Sequence, residues 1–163
     1  MKLKQTYGAR EVAALTGLTA RQLQWWDASR LLSSTIASYR TEAGGFTERR
    51  YSPVDLLELL VLADLRRQGF TVRTLRLLLS SLRRYFDMRL FDAIGGGGSV
   101  TLLTDGREIY ARTGKGEIFN LLRAPTQPML VIGEESNLRE LKGHARRRKP
   151  RKGRSGKQAV EPR

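Results

Sequence analysis

The sequence predicts a mainly α-helical chain: two short helices joined by a tight turn, an arginine-bearing hairpin, a second pair of helices, then a small α+β unit and a disordered basic tail. Three observations predict it. Apolar residues recur at helical spacing in four segments between Ala9 and Phe86, each opened by a capping residue or closed by glycine. Between the second and third of these, over residues 33–51, the helical period is lost and aromatic and glycine residues take over. From His144 onward the chain reads HARRRKPRKGRSGKQ, too poor in apolar side chains to bury a core.

Taken in order, AREVAALTG (9–17) is a short helix with Val12 and Leu15 on its apolar side and Gly17 ending it. Thr19 and Gln22 form a capping-box pattern that opens a second helix through QLQWWD. Two short helices around a glycine-containing turn describe a helix-turn-helix. Residues 33–51 are expected to be a hairpin or wing, with Ala43, Gly44 and Gly45 as its turn. Ser52 then caps a helix with Pro53 at its first position and Asp55 in its first turn, running to Gly69. Thr71 caps the next, with Leu75, Leu78, Leu79, Leu82 and Phe86 on one face. Its pattern can continue through Leu90 to Ile94, where glycines break it. Beyond them VTLLTDGREIYA alternates around Asp105 and Gly106 as a two-residue hairpin, EIFNLL reads as a short helix, and MLVIG as a strand.

The expected organisation is therefore a domain over 1–94 whose last helix, about 71–94, could serve dimerisation. A glycine linker follows at 95–98, then a small unit over 99–143 and a disordered tail over 144–163. Charge follows the same division. The chain holds 30 Lys and Arg against 16 Asp and Glu, a net +14. Residues 1–86 carry a net +7, residues 87–143 a net −1 and residues 144–163 a net +8. An excess of that size suits a polyanionic partner, nucleic acid above all.

Other classes find little support. No cysteine is present, which removes disulfides, thiolate metal sites and cysteine nucleophiles. No apolar run is long enough for a membrane span, and MKLKQTYGAR lacks the apolar core of a secretory signal, so a cytoplasmic, nucleoid-associated protein is expected. The single histidine, His144, sits beside the basic tail, GGGGS lacks the rest of a phosphate-binding loop, and the acidic residues show no spacing that argues for a metal or an acid–base pair. Neither an enzyme nor a cofactor is expected.

A nucleic-acid reading uses many residues. The second helix of a helix-turn-helix enters the DNA major groove with its N-terminal residues nearest the bases. Here those are Thr19, Ala20 and Arg21, with Gln22 and Gln24 behind them. Arg21 has the fork that suits guanine or a phosphate. At about 100° per residue, Trp26 lies towards the side of Leu23 and Trp25 towards that of Arg21. Trp26 is thus expected in the core. Trp25 either offers its indole N–H to a phosphate or packs under the hairpin. Arg40, Arg49 and Arg50 on the hairpin would grip phosphates.

These residues resemble a known family. The MerR-type regulators usually show a Ser/Thr cap followed by T-L-R-Y-Y-E/D, and this chain has Thr19 followed by Gln22-Leu23-Gln24-Trp25-Trp26-Asp27. Their wing and next helix read like Y-R-x-Y-S-x-x-D-L, and here the stretch is Glu48-Arg49-Arg50-Tyr51-Ser52-Pro53-Val54-Asp55-Leu56. Leu31-Leu32 and the Gly69-Phe70 turn also correspond, so the resemblance covers residues 6–84. It implies a winged helix-turn-helix that binds promoter DNA as a homodimer, with Arg21, Trp25 and Arg49 as DNA contacts, and an effector, small molecule or protein, at the C-terminal unit. The chain departs from the pattern in its two tryptophans, in Gln24 and in Glu48. Two other readings stay open: an excisionase-like or architectural protein that bends DNA, and an antitoxin-like DNA-binding protein whose C-terminal unit holds a protein partner.

Overall fold

The three helices expected behind Thr19, Ser52 and Thr71 each start at that capping residue. In this computed structural model, which describes residues 3–36, 39–40, 47–95 and 98–130, α1 spans Ala9–Thr16 and ends at Gly17, whose φ of 74° is the left-handed position glycine occupies without strain. The Thr16 hydroxyl donates to the Val12 carbonyl at 2.7 Å and accepts from the Leu18 N–H at 3.2 Å, shaping the turn. α2 spans Ala20–Ala28. Its capping box is reciprocal: the Gln22 N–H donates to the Thr19 hydroxyl at 3.1 Å, and the Thr19 N–H to the Gln22 side chain at 2.8 Å. α3 spans Pro53–Arg67 behind Ser52, and α4 spans Val72–Phe86 behind Thr71.

Short strands tie these helices together. β1 (Tyr7–Gly8) pairs antiparallel with β4 (Arg50–Tyr51), and β2 (Tyr39–Arg40) with β3 (Thr47–Glu48). The expected turn at Ala43, Gly44 and Gly45 lies outside the described residues, as does the tail over 144–163. Between the helices sits one buried cluster in which Val12, Leu23, Trp26, Tyr51, Leu59, Leu62, Leu75, Leu78 and Leu82 are almost wholly covered.

The structure departs from the sequence reading after Phe86. The helix does not run on to Ile94: Asp87 takes a left-handed φ of 50°, the Met88 N–H folds back to the Leu82 carbonyl at 3.3 Å, and a separate α5 (Leu90–Ile94) follows. Apolar spacing alone could not reveal a break made by one backbone dihedral. The hairpin at Asp105 is real but has four loop residues, because β5 (Val100–Thr104) closes on β6 (Ile109–Thr113) with Thr104 opposite Ile109. The Asp105 carboxylate organises that loop by accepting from the N–H groups of Arg107 and Glu108 at 2.8 and 2.7 Å.

EIFNLL is not helical either. Its first part is β7 (Ile118–Asn120), and β8 (Ala124–Met129) completes an antiparallel sheet in the order β5-β6-β7-β8. Phe119 sets its ring edge-on to Phe86, with centroids 5.5 Å apart, and the Ser81 hydroxyl donates to the Leu121 carbonyl at 2.8 Å. These contacts draw the segment onto α4. Val100, Ile109, Ala111 and Leu121 join the same buried cluster as the helices. Where a flexible linker is expected at 95–98, Gly98 has a steric role: a Cβ there would collide with the Asp92 carbonyl oxygen. Of the expected strand MLVIG, Met129 ends β8 and residues 131–133 lie outside the described residues.

A buried polar knot closes the helical part. The Asp55 carboxylate is fully covered and accepts from the Ser52 N–H at 2.9 Å, the Thr35 N–H at 3.1 Å and the Thr35 hydroxyl at 2.8 Å. One turn on, Glu58 accepts from Arg89 at 3.2 and 2.7 Å and from the Phe91 N–H at 3.0 Å. Burial pushes the Asp55 pKa up, yet the hydrogen bonds from Ser52 and Thr35 outweigh it, and the net shift is downward. Removing the carboxylate in Asp55→Ala leaves buried N–H groups unpaired and is expected to cost about 2–3 kcal/mol. A pKa lowered by folding stabilises fully above the unfolded value, near 3.8, and ever less as pH falls below it. The stability gap between wild type and Asp55→Asn, measured by urea denaturation, should therefore be full at pH 7 and narrow below about pH 4.

Candidate nucleic-acid interface

The turn and α2 present one face outward because the other is spent on packing. Leu18 in the turn and Leu23 and Trp26 on α2 are buried against the core. That leaves Thr19, Ala20, Arg21, Gln22, Gln24 and Trp25 all exposed, a continuous surface over the N-terminal half of the helix. The tryptophan doublet divides as its spacing predicts: Trp26 is 2% exposed and Trp25 is 52% exposed. So large an indole left in water on a nine-residue helix gains nothing for the fold.

Polar chemistry on this face is unevenly free. The Gln22 side-chain oxygen is engaged by the Thr19 N–H, so its amide NH₂ is the group left to reach outward. Arg21 has no carboxylate partner among the described residues. The helix N-terminus behind it adds positive potential. Together they favour a negative ligand here.

The arginines expected on the hairpin fall at different points of the structure. Arg49 lies just before β4, and its Nε forms an ion pair at 2.8 Å with the Asp27 carboxylate at the far end of α2. That pair, half-buried on both sides, joins the hairpin to α2. Arg50 pairs with Glu48 at 3.0 Å, more openly. Arg40 lies on β2, opposite Thr47. The Arg49–Asp27 contact was hidden in the sequence because its partners are 22 positions apart, although opposite charges flank the hairpin at both ends.

The acidic residues read as scattered are also brought together. Asp55 and Glu58, three apart on α3, face one interior site, but their oxygens are occupied by Ser52, Thr35, Arg89 and Phe91. Among the described residues no group of three or more His, Cys, Asp or Glu side chains could hold a metal ion, and no helix is long and apolar enough to cross a membrane.

A helix-turn-helix whose second helix shows a polar, cation-bearing face, followed by a hairpin and a further helix pair, is the architecture of a DNA-binding unit. Residues 7–82 match the MerR HTH family regulatory protein, and this N-terminal segment is a MerR-family helix-turn-helix unit. Similar proteins include uncharacterized HTH-type transcriptional regulators of Mycobacterium bovis and Mycobacterium tuberculosis. Each is 28% identical over 137 residues, covering 84% of this chain and 56% of the relative. The chain thus spans little more than half the length of these relatives.

The doublet yields an asymmetric test. Trp26→Ala should lower stability by about 3–5 kcal/mol, as expected for a buried tryptophan. Trp25→Ala should stay within about 0.5 kcal/mol of wild type. Urea denaturation followed by circular dichroism measures both; equal losses would mean that Trp25 is a packing residue.

Proposed function

We propose that this protein is a sequence-specific DNA-binding transcriptional regulator of the MerR type that binds promoter DNA as a homodimer. The observation that carries the reading is the exposed face of α2, where Arg21 and Trp25 stand outward beside the helix N-terminus on a segment that matches the family. On this reading Thr19, Ala20, Arg21, Gln22 and Gln24 lie along the major groove. Trp25 sets its indole N–H towards a phosphate. The β2–β3 hairpin acts as a wing. Arg40 and Arg50 reach the backbone, while Arg49 splits its role: its link to Asp27 fixes the wing against α2 and leaves its outer N–H groups for a phosphate.

The tail over 144–163, with its net +8, adds affinity that does not depend on sequence and weakens with salt. Dimer contacts fall to α4, where Leu77 and Tyr85 remain exposed eight positions apart. The sheet β5–β8 is the place for an effector. Such a regulator works on the chromosome, in the cytoplasm. An architectural role would rest on the same basic surfaces, so it is separated by how binding is distributed along DNA.

Arg21→Ala should weaken binding to a specific duplex by about 1–3 kcal/mol, read by fluorescence anisotropy at fixed salt. Deleting 144–163 should flatten the dependence of affinity on salt while preserving the choice of site. Genome-wide binding should give sharp peaks at promoters; broad coverage blind to sequence would replace the regulator with the DNA-bending protein.

A further inference from the structure

The end of α2 carries an arginine where the fold would accept glycine. The Arg30 N–H donates to the Asp27 carbonyl at 3.0 Å and the Leu31 N–H to the Trp26 carbonyl at 2.9 Å, the paired bonds of a Schellman cap. α3 ends with the same cap: Gly69 donates to Arg66 at 3.0 Å and Phe70 to Leu65 at 3.1 Å. There the left-handed residue is Gly69, at φ 103°; at the end of α2 it is Arg30, at φ 55°. A side chain at this position costs strain that glycine avoids, which makes Arg30 a candidate for a role outside the cap.

Arg30 lines a hollow of about 520 Å³ between the end of α2, α4 and the start of α5. Arg76, Arg83 and Arg89 line it too. Arg89 is committed to Glu58. Among the described residues Arg30, Arg76 and Arg83 have no carboxylate partner, and Arg76 donates only to the Ser29 carbonyl, at 3.3 Å. Three arginines without a carboxylate partner thus line one hollow, and their like charges favour an anion there. Ser33 and Ser80 line it as well, the Ser80 hydroxyl donating to the Leu77 carbonyl at 3.0 Å, and Leu79 and Met88 supply an apolar wall.

We propose that this hollow binds a small organic anion, a carboxylate or phosphate monoester attached to an apolar body. The guanidinium forks match either head group in paired hydrogen bonds. The volume suits a small ligand rather than a chain, and the apolar wall would be wasted on a bare phosphate. Because Arg76 donates to Ser29, the cap of α2, occupancy of the hollow bears directly on the helix that carries the DNA-facing residues.

The test is calorimetric titration of the full chain, without DNA and at constant ionic strength, with phenyl phosphate and with inorganic phosphate. Phenyl phosphate should saturate a single site about tenfold more tightly than inorganic phosphate, through the burial of its ring. Arg30→Gly should keep or raise the melting temperature and weaken that binding by about tenfold or more, as should Arg83→Ala. Arg107→Ala, on the β5–β6 loop away from the hollow, should change nothing. No saturable binding at millimolar phenyl phosphate, equal affinity for the two phosphates, or an equal loss in Arg107→Ala overturns the proposal. So does a result in which neither anion binds but Arg30→Gly weakens DNA binding, since the guanidiniums would then hold duplex phosphates. The first titration contains no DNA, so its failure leaves the DNA-binding reading standing.

Discussion

The fold depends on one buried carboxylate. Asp55 completes the N-terminal cap of α3, and it also receives the Thr35 N–H and hydroxyl from the segment that leaves α2. Arg89, at the start of α5, reaches the same carboxylate at 3.4 Å while its main partner is Glu58. A single side chain thereby fixes the relative positions of the chain after α2, the head of α3 and the head of α5. A charge fully out of water is tolerable only when its oxygens are occupied, and Asp55 meets that condition with backbone and hydroxyl donors that cannot leave without local unfolding. The orientation of α2 follows, because its C-terminal end leads within a few residues to Thr35.

Much of this frame is legible from local chemistry. Thr19 with Gln22, Ser52 with Pro53 and Asp55, and Thr71 each mark a helix start that the structure reproduces, because a cap is a bargain between residues three positions apart. The division of Trp25 from Trp26 is legible for the same reason: helical geometry places neighbours on different sides, and Leu23 identifies which side is core. The residues placed on the outer face of α2 from spacing are the exposed ones. What they bind does not follow from their exposure, and depends on the family match and on the charge of the chain.

The misreadings share a cause, which is distance along the chain. EIFNLL has helical composition, but Phe119 and Leu121 are claimed by Phe86 and Ser81 on α4, and tertiary contact overrides a weak local preference. The break after Phe86 comes from Asp87 turning left-handed so that Met88 can return to Leu82, a choice that heptad-like spacing cannot reveal. The pairing of Arg49 with Asp27, in another element 22 positions away, is equally invisible to local spacing. Arg30 gave no sequence signal at all. It becomes visible only when its backbone is compared with that of Gly69 in the same cap.

These observations make α2 the element on which the protein's readouts converge. Its N-terminal half is free surface, and its C-terminal end is held by three separate links: Arg49 to Asp27, Arg76 to Ser29, and the strained cap at Arg30. A helix of nine residues, about 13 Å long, behaves as a rigid rod on this scale. A displacement at its C-terminal links would therefore carry with it the face that bears Arg21 and Trp25. Coupling between an anion in the arginine-lined hollow and DNA at the other end would be reciprocal, and no larger than the difference in anion affinity between the free and DNA-bound forms. The hairpin shares this constraint, because Arg49 pairs with Asp27 on α2. A displacement of α2 that broke the Arg49–Asp27 pair would expose two half-buried charges, and that cost favours hairpin and helix moving as one body.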